Sequence, residues 1–288
     1  MQKLPIGIQT FSEIITKDYL YIDKTKEVYE LIESGTKFYF LSRPRRFGKS
    51  LFVDTLHSLF EAKKELFEGL YIYDKWDWDN SYPVIKISWG GSDYQTFKNL
   101  QIKAKKIFNA NQDRLGVKCD EFDIENLSIC FEELIQKTYE KYNQQVVVLI
   151  DEYDKPILNV VENLPQAKQN REFIKGLYEV LKENERYIKF GFLTGVSKFS
   201  KASIFSGLNM LRDISLNPNY GNICGYTQND IDNIELEVIL HQAGYLTIDE
   251  VYEEPFGGLS YKLKIPNNKE NEDKLKKKLI DYIKSFQR

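Results

Sequence analysis

Apolar positions along this chain come in two rhythms. Short blocks rich in β-branched, leucine and aromatic residues read as buried strands: Phe38–Leu41, Val84–Trp89, Val146–Ile150 and Tyr187–Leu193, with a fifth short one over Leu211–Leu216. Between them the apolar residues recur every three or four positions, as on one face of a helix. Val28, Leu31 and Ile32 make such a face before the first block, and Phe52, Leu56, Leu59 and Phe60 make one after it. Two longer faces, led by Phe97 and by Leu127, separate the second and third blocks, and one led by Phe173 separates the third and fourth. Strands alternating with helices predict a three-layer α/β domain around a parallel central sheet. Val146-Val147-Val148-Leu149-Ile150 in particular predicts a strand covered on both faces.

Beyond Gly225 the pattern changes. A short helix is predicted around Ile234–Leu240, then two alternating strands, Gly244–Ile248 and Leu259–Ile265, about a Pro255-Phe256-Gly257-Gly258 turn. A last helix places Leu275, Leu279, Ile283 and Phe286 on one side, with Lys274 and Lys276–Lys278 close by. The expected organisation is a main domain over residues 1–225 and a small α+β, helix-hairpin-helix-like appendage over 226–288.

Composition narrows this little. The 288 residues are 42% hydrophobic and 29% charged with a formal net charge of −3, and 19 Tyr and 18 Phe supply material for a large core. No run is long and apolar enough to span a bilayer, so no membrane association is expected. A slightly acidic total provides no broad basic field for nucleic acid, although the terminal lysines leave DNA open as a partner. Cys119, Cys130 and Cys224, with only His57 and His241, give neither zinc-ligand spacing nor an expected disulfide framework. That points to a reducing, cytoplasmic setting. His57 falls on a helix and is expected at its surface or boundary.

The candidate chemistry sits at strand ends. After Phe38–Leu41 the chain reads Ser42-Arg43-Pro44-Arg45-Arg46-Phe47-Gly48-Lys49-Ser50-Leu51 and resumes as a helix. Strand, loop, Gly-Lys-Ser and helix is the context of a phosphate-binding loop, in which backbone N–H groups and the helix N-terminus face phosphate oxygens. Lys49 would reach the β- and γ-phosphates, and the Ser50 hydroxyl would hold Mg²⁺. The motif departs from its usual form at Arg43, which stands where the first glycine is expected. Asp151-Glu152-Tyr153-Asp154 follows the third strand, at the carboxyl edge where open α/β sheets bind ligands. At the end of the fourth strand, Thr194 and Ser197 are candidates for sensing the γ-phosphate or orienting water, and Lys198 for touching a phosphate. Capping of the next segment accounts for any one of these equally well. Asp23 and Lys24 read better as parts of a helix start than as ligands.

Taken together these residues resemble a family, the predicted AAA-type ATPases of bacteria known as AAA-ATPase-like proteins. The resemblance is carried by Leu4-Pro5-Ile6-Gly7, Tyr21-Ile22-Asp23-Lys24-Thr25, the Ser42–Leu51 loop, Leu66-Phe67-Glu68-Gly69-Leu70, Ile150–Pro156, Leu193–Ser200, Ile204–Asn209 and Gly225-Tyr226-Thr227. It accounts for Arg43, since that family's loop reads Arg-Pro-Arg-Arg-Phe-Gly-Lys-Ser. Relatives usually carry a further stretch with a Trp-Tyr-x-Gly-Tyr motif between the equivalents of Thr227 and Gly244, and many continue into a restriction-endonuclease-like domain. The resemblance therefore implies an internally shortened member without the nuclease-like domain. It implies ATP and Mg²⁺ as cofactors. Arg45, Arg46, Phe47, Gly48, Lys49, Ser50, Leu51, Thr194 and Ser197 would surround the nucleotide, and Ser50 and Asp151 the metal. Lys49 and Glu152 would act in catalysis, Glu152 by activating water for attack on the γ-phosphate. No arginine finger is identifiable; Arg212 is a candidate only if the chain forms a homo-oligomer. Two rivals remain open: a nucleotide-binding switch with negligible hydrolysis, and a nucleic-acid-binding or interaction module whose phosphate loop is vestigial.

Overall fold

A computed structural model of the chain describes residues 5, 7–120, 122–197, 210–225, 227 and 230, and the backbone of 247–253 and 259–264. The chain divides into two compact units, Met1–Gly225 and Tyr226–Arg288.

The first unit is built on five strands: β1 (Phe38–Ser42), β2 (Val84–Ser88), β3 (Val146–Asp151), β4 (Ile188–Gly195) and β5 (Leu211–Asp213). They lie in the order β2-β3-β4-β1-β5, and every neighbouring pair is parallel. Successive strand residues point to opposite faces, and both faces are dry. Phe38 and Phe40 of β1 join Ile85, Ile87, Val148 and Ile150 in one core, beneath α4 (Phe97–Leu115), α5 (Leu127–Tyr142) and α7 (Leu164–Glu183). Tyr39 and Leu41 join Val147, Leu149, Phe190 and Phe192 in the other, beneath α3 (Lys49–Phe60) with α1 (Phe11–Thr16) and α2 (Thr25–Glu33) nearby. All six residues of β3 are buried, as its apolar run predicts. A short α6 (Lys155–Leu158) follows β3. The result is the expected three-layer α/β domain with a parallel central sheet.

Local chemistry sets the helix ends. The Thr96 side chain accepts a hydrogen bond from the Asn99 N–H at the start of α4, and Asn163 does the same for Gln166 at the start of α7. Asp23, weighed above as a ligand, accepts hydrogen bonds from the Thr25 N–H at 2.7 Å and the Tyr71 N–H at 2.8 Å. It ties α2 to the segment after α3.

The structure departs from the sequence-based expectations in four places. Helix α1 lacks an anticipated pattern because only Phe11 and Ile14 of its six residues are buried. The fifth strand is only Leu211–Asp213: Asp213 Oδ1 accepts from the Ser215 N–H at 2.9 Å and turns the chain out of the sheet. In the second unit, β6 (Thr247–Glu253) starts and ends later than Gly244–Ile248 and pairs antiparallel with β7 (Leu259–Lys264). Cys119 and Cys130 form a disulfide, contrary to the reading that the cysteines are unpaired, so the cysteine count supplies no argument for a reducing compartment. The reason is geometric: α4 ends at Gly116, whose positive φ reverses the chain and sets Cys119 against α5. The helices predicted over 234–240 and 275–286, and the Pro255–Gly258 turn, fall outside the described residues.

His57, expected at a boundary, meets Glu61 across one helical turn at 2.9 Å, and Lys63 and Arg114 also reach Glu61, at 2.7 and 3.1 Å. Burial alone would raise the Glu61 carboxyl, but hydrogen bonds from His57 and Lys63 outweigh it and hold the group at about 2, against an ordinary 4.5. A depressed carboxyl stabilises the fold above its unfolded-state value, and that contribution is lost as pH falls from 4.5 through 2. Glu61→Gln is expected to lower the free energy of unfolding at neutral pH by about 1–3 kcal/mol and to flatten the acid limb of stability. Urea unfolding at a series of pH values measures both effects; an unchanged acid limb would contradict the assignment.

Candidate nucleotide site

The carboxyl ends of β1, β3 and β4 meet at one edge of the sheet, and the loop between Ser42 and Lys49 lies there. Gly48 precedes α3 with φ of 82°, a left-handed conformation that costs a glycine nothing and a residue with Cβ about 1 kcal/mol or more. Arg46 also has positive φ, at 64°. Lys49 is the first residue of α3 and is buried, and its Nζ donates to the carbonyl oxygens of Arg43 at 2.9 Å and Pro44 at 2.8 Å. Its ammonium therefore folds back over the loop. Burial pulls it below the ordinary lysine range, with the Asp151 carboxylate foremost among the groups pushing back.

Ser50 and Asp151 are 101 residues apart in sequence, yet Ser50 Oγ donates to Asp151 Oδ2 at 2.6 Å. Asp151 is only 6% exposed, and its other oxygen, Oδ1, is buried without a hydrogen-bond partner. Desolvation raises this carboxyl, opposed by the Ser50 hydrogen bond. An orphaned carboxylate oxygen beside a serine hydroxyl at a helix start suits a hard, oxygen-seeking cation. Among the described residues no group of three or more His, Cys, Asp or Glu side chains could hold a metal ion. Mg²⁺ would then be bound largely by phosphate and water, with Ser50 and Asp151 as the chain's contribution, and the residues present fit it on those terms.

Glu152 follows in a left-handed conformation, φ 55°, and its Oε2 lies 2.7 Å from Lys155 Nζ. Thr194, opposite Leu41 in the β1–β4 register, is fully buried with a hydroxyl that has no hydrogen-bond partner. Ser197 is buried too, but its Oγ donates to Asp154 Oδ2 at 2.8 Å. Arg45 and Arg46 are exposed, Phe47 is half-buried, and Leu51 packs at the border of the core beneath α3. Lys198 falls outside the described residues. Arg212 is exposed on β5 at the level of Tyr39, with Nη1 3.4 Å from Thr36 Oγ1, reaching toward the amino end of β1 rather than toward the loop that follows it.

The family model described as Predicted AAA-ATPase matches residues 5–205. The chain belongs to this family. A curated relative from Azotobacter chroococcum mcd 1, called "Uncharacterized protein in vnfD 5'region", is 47% identical over 234 residues, 81% of this chain. Those residues make up 45% of the relative, so the chain spans about half its length. No solved structure matches the chain.

Two residues carry more of this site than their sequence suggested. Asp154, quoted only as the last acid after β3, accepts from the N–H groups of Val196 at 3.0 Å and Ser197 at 2.6 Å as well as from the Ser197 hydroxyl. It anchors the exit of β4 to the exit of β3. Arg43 is the other: its guanidinium donates to the Ser215 and Tyr220 carbonyls. An aspartate three residues beyond the first acid was the available signal, but nothing in its spacing distinguished an anchor from a ligand. Asp154→Ala is expected to lower stability by about 2–4 kcal/mol, since it strands three donors, whereas Ser197→Ala leaves both backbone bonds and should cost about 1 kcal/mol. Chemical denaturation of the two variants tests this; equal losses would remove Asp154 as the anchor.

Proposed function

We propose that the chain binds ATP with Mg²⁺ at the 43–50 loop and hydrolyses it. The observation that carries this reading is the Ser50–Asp151 hydrogen bond, which joins the helix start after β1 to the acid ending β3. Lys49 is buried where phosphate oxygens would replace the Arg43 and Pro44 carbonyls as its partners. The N-terminus of α3 adds its partial positive charge. When bound, Mg²⁺ supplies charge neutralisation along the β- and γ-phosphates, and Ser50 and Asp151 are the residues that would hold it. Glu152 orients and polarises the attacking water; Thr194 offers its unpaired hydroxyl to the γ-phosphate or that water. Family membership supports nucleotide binding as the coarse statement, and hydrolysis is our extension of it. The reading places the protein where ATP is abundant, in the cytoplasm. Among the described residues no helix is long and apolar enough to cross a membrane.

One observation favours a second reading, a nucleotide-binding switch with negligible turnover: Glu152 is engaged by Lys155 rather than free at the sheet edge. The two readings part at defined variants. Lys49→Ala should abolish MgATP binding in calorimetry, and Asp151→Asn should weaken binding and turnover together. Glu152→Gln keeps the shape of the side chain and should leave affinity within a few-fold while cutting turnover by about 10²–10⁴, the worth of a positioned base. Turnover unchanged in Glu152→Gln would exclude this residue from the mechanism, and an undetectable rate in the parent, with intact binding, would favour the switch.

A further inference from the structure

Arg43 stands where a phosphate-binding loop ordinarily has glycine, and nucleotide binding by itself assigns its side chain no role. The structure gives that side chain three partners, all backbone carbonyls. Nη1 donates to Ser42 O at 3.1 Å and Ser215 O at 2.7 Å, and Nη2 donates to Tyr220 O at 3.1 Å. The last two lie 172 and 177 residues further along the chain. The same segment makes a second bond to the start of the loop, where Ser215 Oγ accepts from the Ser42 N–H at 2.8 Å. It also closes on the loop's far end. Gly225 has φ of 81°, and a Cβ there would fall 2.7 Å from the Phe47 ring, so only glycine permits this approach. Between these attachments Tyr220, Ile223 and Cys224 are buried in the core beneath α3. The loop is thus gripped at both ends by residues 214–225, and Arg43 makes two of the hydrogen bonds of that grip. Its planar, forked guanidinium bonds several acceptors at once; a lysine ammonium on a single stem cannot reproduce that geometry.

We propose that Arg43 is a positioning residue that fastens segment 214–225 to the phosphate loop, making closure of the segment and formation of a ligand-ready loop one equilibrium. The backbone carbonyl of Arg43 is one of the two acceptors holding Lys49, so the residue that grips the segment also sits on the lysine. Whatever binds the formed loop then also holds the segment closed, and opening the segment weakens binding by the same factor, because such coupling is reciprocal. The ligand-linked half of this inference rests on the nucleotide reading; the fastening itself does not.

Cys224 is a built-in reporter of the segment. It is a buried free thiol, and burial pushes it up to about 12, with Arg43 and then Lys49 opposing. It reacts only through opened forms, so its alkylation, followed by peptide mass spectrometry, measures the open population. Without nucleotide, Arg43→Gln should speed labelling about 10–100-fold, the scale of losing buried hydrogen bonds to a charged group. Arg43→Lys should restore little of the protection, and Ser215→Ala should give a smaller acceleration. A core variant on the buried face of α5, Leu134→Ala, compared at urea concentrations that give equal global stability, controls for global unfolding. Labelling of Arg43→Gln no faster than the parent, or no faster than that matched control, overturns the proposal. In the parent, ATPγS with Mg²⁺ at about 100 times its Kd should slow labelling up to about 100-fold. The Arg43→Gln chain should bind it more weakly only in proportion to the closed fraction it has lost. Bound nucleotide that leaves Cys224 labelling unchanged also overturns the coupling. If the parent binds no nucleotide, the nucleotide reading fails and the ligand-free comparison still decides whether Arg43 fastens the segment.

Discussion

The Ser50–Asp151 hydrogen bond is the contact on which the rest of the first unit's architecture converges. It joins the start of α3 to the end of β3, although β4 lies between β1 and β3 in the sheet. That meeting requires the parallel strands to end level with one another. It is secured by backbone bonds past the strand ends: Arg43 N–H to Gly195 O, Tyr153 N–H to Thr194 O, and Trp89 N–H to Asp151 O. Parallel pairing with both faces covered makes this alignment hard to shift, because slipping a strand by one residue would turn its buried side chains to the wrong face. The apolar runs of β1, β3 and β4 thus do indirect chemical work, by fixing where two polar side chains meet.

The carboxyl edge of the sheet mixes buried groups without partners and buried groups that are fully paired. Lys49 is buried and satisfied by two loop carbonyls, Asp151 is buried with one oxygen unmatched, and Thr194 is buried with an idle hydroxyl. A buried polar atom without a partner costs about 1–3 kcal/mol; Trp76, Gln112 and Thr138 carry others away from this edge, and here Asp151 and Thr194 bring two together. The anchors around them are fully paired, as Asp154 and Arg43 show. Idle groups held in place by satisfied ones is the pattern expected of a preorganised binding edge.

Much of this was legible in the chain. Strands β1 to β4 and the Gly48-Lys49-Ser50 helix start are local patterns, readable because a buried parallel strand needs an apolar-rich run and a phosphate loop needs a left-handed residue before its helix, whereas β5, Leu-Arg-Asp, has no such run. Asp151 was readable as the first polar residue after such a run. The anchors were not, because their partners are remote and chemically anonymous. Arg43 bonds carbonyls, which every residue carries, and Asp154 bonds the N–H groups of Val196 and Ser197. The Cys119–Cys130 pair escaped for a related reason: its closure depends on the turn at Gly116 rather than on spacing. Helix α1 escaped because two buried residues do not make a pattern.

On our proposal, Ser50 and Asp151 meet to take a divalent cation along with a nucleotide's phosphates. Electron paramagnetic resonance with Mn²⁺ in place of Mg²⁺ tests it directly on the full chain. With ATPγS present, one tightly held Mn²⁺ per chain should appear, and it should be lost or greatly weakened in Ser50→Ala and Asp151→Asn. Without nucleotide the chain should hold little Mn²⁺, because two side chains alone are a poor cation site. Nucleotide that binds without recruiting Mn²⁺, or Mn²⁺ bound equally well by both variants, would contradict the account.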